Sequence, residues 1–130
     1  MKNIIAVLTT VSLLTLMILV SGALAKNSLE KSSEKLENYV ARIEAGIENG
    51  EWENAQIILS DLQKDWHETK TSWAMLTDHA EIDNIDEALA RFPKYLETRQ
   101  LPLLLAELSV LKRYFRHIPQ KESLNLENIL

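Results

Sequence analysis

Between Trp52 and Leu76 an apolar side chain recurs at alternating steps of three and four residues. The set is Trp52, Ala55, Leu59, Leu62, Trp66, Thr69, Trp73 and Leu76, with Thr69 the one polar member. That rhythm puts all eight on one face of a single helix. Every tryptophan of the chain lies on it. A stripe this large must be buried against other elements, so it predicts a helical core rather than a lone helix. The scarcity of Gly and Pro, three of each in 130 residues, agrees, because long helices need few interruptions.

The neighbouring segments carry matching stripes. Lys26–Asn49 is predicted helical, with Leu29, Leu36, Val40, Ile43 and Ile47 on one face. Gly46 inside it costs about 1 kcal/mol of propensity relative to Ala. Asn49-Gly50 supplies the stop, since glycine accepts the left-handed conformation that ends helices. The tryptophan helix, widened by Ile58, is expected to end near Thr77, because Asp78-x-x-Glu81 has the spacing of a capping box. Ile82, Ile85, Leu89, Phe92 and Leu96 make a third stripe, in which Pro93 is expected to kink or end the helix. The chain turns around Thr98–Leu101, and Pro102 suits a first helical turn. Leu101, Leu104, Leu108, Leu111, Phe115 and Ile118 form the fourth stripe, flanked by Leu103 and Leu105, and Pro119 is expected to close it. The tail from Ser123, with Leu124, Leu126, Ile129 and Leu130, is expected to add one turn across the bundle end. Four amphipathic helices with short connections define an all-α, antiparallel up-down-up-down four-helix bundle over residues 26–130.

Ahead of the bundle, residues 4–25 hold no charge, a length sufficient to cross a bilayer, which needs about 20 apolar residues. Two readings compete for residues 1–25. In one they are a retained transmembrane anchor. In the other they are a signal peptide, with Lys2 as the charged start and cleavage following Ala25 in Ala23-Leu24-Ala25. Retention is favoured, because the apolar core from Ile4 to Val20 exceeds the usual signal length of about 7–15 residues. Nothing between Ala25 and Leu36 breaks a helix, so the span is able to run on into the bundle. Both readings put the body across the membrane from the cytoplasm, although Lys26, Lys31 and Lys35 weaken the positive-inside signal of Lys2.

Several chemistries are excluded. With no cysteine there is no disulfide, thiolate metal site, cysteine nucleophile or lipidated bacterial anchor. Net charge is −5; removing residues 1–25 takes Lys2 from the 14 basic side chains and none of the 19 acidic ones, leaving −6. That field repels a phosphate backbone, so nucleic acid is not an expected partner. No phosphate loop, zinc-protease helix or nucleophile elbow is present. One strip invites a metal: His79, Asp83 and Asp86 follow one another at helical-turn spacing, and imidazole with carboxylates suits a divalent ion. The structural reading is preferred. Acidic residues offset the dipole at a helix start, and Asp83 or Asp86 is expected to meet Arg113 or Arg116 on the last helix. His67 is expected to flank the core half-exposed, and the tryptophans to be core rather than a cationic cage. No catalytic, cofactor or metal residue is therefore assigned, and no cofactor is expected.

The apolar N-terminus, the Trp66…Trp73 pair, the run His79-Ala80-Glu81-Ile82-Asp83-Asn84-Ile85 and the closing Leu126-Glu127-Asn128-Ile129-Leu130 resemble the domain of unknown function 4363 family. The resemblance implies a small helical protein with an N-terminal membrane segment, of the kind found mainly in spore-forming Gram-positive bacteria. It brings no site residues with it. The expected function is a non-enzymatic interaction or structural module of the bacterial cell envelope, held by residues 4–25 and engaging a protein partner. The alternative is a divalent-metal-dependent binding protein or enzyme using His79, Asp83 and Asp86.

Overall fold

The computed structural model describes the backbone of residues 1–129, and the side chains there except those of Glu127 and Ile129. Four helices follow one another: α1 (Lys2–Glu48), α2 (Trp52–Ala74), α3 (His79–Glu97) and α4 (Leu101–Ile129). α1 packs on α2 and α4, and α3 on the same two, so the helices stand at the corners of a square in up-down-up-down order.

α1 is one rod of 47 residues, about 70 Å at 1.5 Å per residue. Its two halves live in different surroundings. No buried side chain precedes Leu29, and then Leu29, Leu36, Val40, Ile43 and Ile47 all enter the core. The helix ends as the sequence predicts. Gly50 takes φ +76, its N–H reaches the Ile47 carbonyl at 3.1 Å, and the Glu51 N–H reaches the Gly46 carbonyl at 2.8 Å. These are the two reverse bonds of a Schellman motif. α3 ends in the same motif with Arg99 in the left-handed position, φ 51, which the sequence does not announce.

The tryptophan spine faces the core. Ala55, Ile58, Leu59, Leu62, Trp66 and Trp73 are buried, whereas Trp52, Thr69 and Leu76 are half-buried. From α3 come Ile82, Ile85, Leu89, Phe92 and Leu96, and from α4 Leu104, Leu108, Leu111, Phe115 and Ile118. Leu101, the first residue of α4, departs from expectation: it is 39% exposed. α2 stops at Ala74, three residues before Thr77.

Neither interior proline ends its helix. α3 runs through Pro93 to Glu97, and α4 runs through Pro119 to Ile129. A proline leaves the carbonyl four residues earlier without its N–H partner. In both places a side chain from a neighbouring helix fills the gap. Gln63 Nε2 on α2 donates to the Leu89 carbonyl at 3.3 Å, and Ser33 Oγ on α1 donates to the Phe115 carbonyl at 2.7 Å. The expected break at Pro119 is thereby corrected, and the tail is the last part of α4 rather than a separate turn. Leu124 there is 61% exposed and Leu126 half-buried; the Ile129 side chain and Leu130 lie outside the described part.

Candidate functional site

The strip singled out at the start of α3 is not a convergent site. Asp78 caps the helix, its Oδ1 accepting from the Ala80 N–H at 3.0 Å. Glu81 does not reach back to Asp78 as a capping box requires. It accepts the Thr77 hydroxyl at 2.6 Å and pairs with Lys121 at 3.4 Å. His79 and Asp83 point to solvent, while Asp86 is half-buried against α2. Among the described residues, no three His, Asp or Glu side chains are grouped so as to hold a metal ion.

Asp86 meets α2 rather than Arg113 or Arg116. It accepts the Trp66 indole N–H at 2.7 Å and the Lys70 ammonium at 2.8 Å. Burial pushes its carboxyl up, but Lys70 and the indole outweigh burial and hold it below the ordinary carboxylate value. The expected pairing fails because α4 has two flanks. Arg116 lies on the α1 flank, where its Nε and Nη2 donate to Glu37 at 3.1 and 2.9 Å. Arg113 stacks near its own neighbour, 5.9 Å from the Tyr114 ring. Position along a helix was legible; the side of the helix was decided by packing.

Two further polar links escaped the sequence reading. Asp65 on α2 accepts Lys35 at 2.6 Å and the Tyr39 hydroxyl at 2.7 Å, both from α1. Those two donors draw the Asp65 carboxyl below its ordinary value. Lys35 and Tyr39 stand one turn apart, which was the available signal. Between α3 and α4, Arg91 grips Glu107 with both prongs, at 2.7 and 3.1 Å.

The aromatic cluster is core, as the spacing implied. Trp66 and Trp73 meet edge to face with centroids 5.6 Å apart, and Phe115 lies 5.8 and 6.2 Å from them. The Trp73 indole N–H donates to Ser32 Oγ at 3.0 Å. His67 is exposed, beside the Asp86–Lys70 pair.

Two grooves lie beside the second half of α1. One groove of about 560 Å³ runs between α1 and α4, walled by Glu30, Glu34, Glu37, Arg116, Gln120 and Leu124. A second, of about 370 Å³, runs between α1 and α2; Leu29, Trp73 and Leu76 floor it, and Ala25 and Met75 stand at its edge. Volumes of this order suit a small molecule or a chain segment.

Fold and site together define a class: a helical bundle whose first helix continues outward as an exposed apolar rod long enough to cross a membrane. The chain belongs to the family described as Domain of unknown function (DUF4363), whose model matches residues 23–129. No curated protein and no solved structure matches it.

Proposed function

We propose that this chain is a membrane-anchored, non-enzymatic interaction module of the bacterial cell envelope. Residues 4–25 hold it in the cytoplasmic membrane, and the bundle, on the outer side, engages a protein partner. One observation carries the reading. α1 is a single helix whose apolar first half has no protein packed on it, while its second half is a full member of the core. Leaving a stripe of Ile, Leu, Val and Met in water costs about 1.5–3 kcal/mol per side chain, and a bilayer removes that cost. A soluble body tied rigidly to a membrane helix, with grooves along its flank, suits recognition more readily than turnover.

Fractionation with intact-mass measurement tests the anchor. Full-length protein in the membrane fraction is expected; a secreted form lacking residues 1–25 would replace the anchor by an exported domain. Protease added outside intact cells is expected to digest the bundle, and protection would reverse the orientation. Cross-linking in membranes is expected to capture a specific protein; consistent absence of a partner, beside catalytic turnover by the purified protein, would defeat the interaction reading.

A further inference from the structure

We propose that the groove between α1 and α2 is a phospholipid site, taking an acyl chain from the bilayer that holds α1. The inference rests on the anchoring reading and adds a ligand to it. Ala25, the last residue of the uncharged run, lines this groove together with Ser28, Leu29, Trp73, Met75 and Leu76. The headgroup layer adds about 5–7 Å to each side of the hydrocarbon core. Ala25 to Ser28 is a rise of about 4.5 Å. A span ending at Ala25 therefore sets the mouth of the groove within that layer.

The side chains are graded to match. The floor is Leu29, Trp73 and Leu76, all apolar and continuous with the core. Ser28, Thr69 and Ser72 give the walls hydroxyls, and Glu68 stands farther along α2, away from the span. Met75, in the α2–α3 turn, is 75% exposed. A flexible thioether at that place costs hydrophobic free energy in water and gains contact in the acyl–headgroup boundary. Trp73 is packed into the floor of the groove, 1% exposed, with its N–H held by Ser32 Oγ. Trp73 therefore reports on the groove from inside it, and Trp52, at the opposite end of α2, serves as the remote reference.

The experiment uses the full chain in phosphatidylcholine vesicles whose acyl chains carry bromine near the headgroup. In W52F/W66F, where Trp73 alone emits, bromolipid is expected to quench the emission; in W66F/W73F, where Trp52 alone emits, it is not. Ser28→Phe, which fills the mouth, is expected to abolish the quenching of Trp73. Undiminished quenching in that variant would show that bromine reaches the indole without entering the groove, and the proposal fails. Flotation separates the two levels of the argument. Protein that floats with vesicles but shows no Trp73 quenching overturns the lipid site and leaves the anchor standing; protein that does not float overturns both. Should the tryptophan variants not fold, the unaltered chain is irradiated with a phospholipid bearing a photoreactive acyl chain. Label on the peptide around Trp73–Leu76 supports the site, and a cross-link from that peptide to another protein or a second copy overturns it.

Discussion

Ser33 and Gln63 are small polar residues whose importance comes from prolines distant in the sequence. Ser33 Oγ gives the Phe115 carbonyl the partner that Pro119 withholds, and it does so in a buried place. Ser33→Ala is expected to cost about 1–3 kcal/mol in denaturant unfolding, the penalty of an unsatisfied buried acceptor. Pro119→Ala restores the helical N–H, so in that background the same change is expected to cost less; a double-mutant cycle measures the difference. Equal costs in both backgrounds would show that the hydroxyl acts elsewhere. The carboxylates Asp65 and Asp86 make a second residue-scale prediction. Both have folded values below the ordinary one, so their stabilisation is full above about pH 4 and fades as pH falls through the folded values. Asp65→Asn and Asp86→Asn are each expected to lower the melting temperature at neutral pH and to shrink its decline on acidification. Neither the proline partners nor the ion pairs were legible in the sequence. A stripe gives angular position around one helix, whereas a pairing depends on the rotation of two helices about each other.

Helices were the most legible level, since each buried stripe reappears in the core with few changes, Leu101 being one. Their ends were less so. The stop at Gly50 was readable because only a left-handed residue closes the motif there; the passage through Pro93 and Pro119 was not, because its compensation comes from other helices. Two glycines in and after α1 behave oppositely. At Gly46 an added Cβ would lie 3.7 Å from the Ala55 Cβ, ordinary contact distance, so Gly46→Ala is expected to stabilise the protein by about 0.5–1 kcal/mol. Gly50 has open space around it but φ +76, so Gly50→Ala is expected to destabilise by about 1 kcal/mol. Thermal melts of the pair check both signs in one experiment. Arg99 occupies the equivalent left-handed place after α3, with its guanidinium 5.6 Å from the Trp52 ring. A cation–π contact of about 0.5–1 kcal/mol offsets part of the roughly 1–2 kcal/mol cost of that backbone conformation.

At the scale of the whole molecule, Phe115 touches both buried tryptophans of α2, and the Phe115 carbonyl binds α1. Phe115→Ala is expected to cost about 3–5 kcal/mol, a large part of the stability of such a domain, and near-UV circular dichroism of the tryptophans should collapse with it. Loss of far-UV helicity confined to α4 would show that the bundle is not one cooperative unit. The sequence by itself determined that the chain is all helix, that four stripes share one interior, and that an uncharged apolar length precedes them. Periodicity and composition are local properties, and burial of a stripe follows from the stripe alone. Tertiary structure decided that leader and first bundle helix are one rod, that Asp86 turns to Lys70 and Arg116 to Glu37, and that grooves open beside α1 where its apolar half ends. Those are relations between surfaces, fixed only when the four helices settle their rotations against one another to close the core.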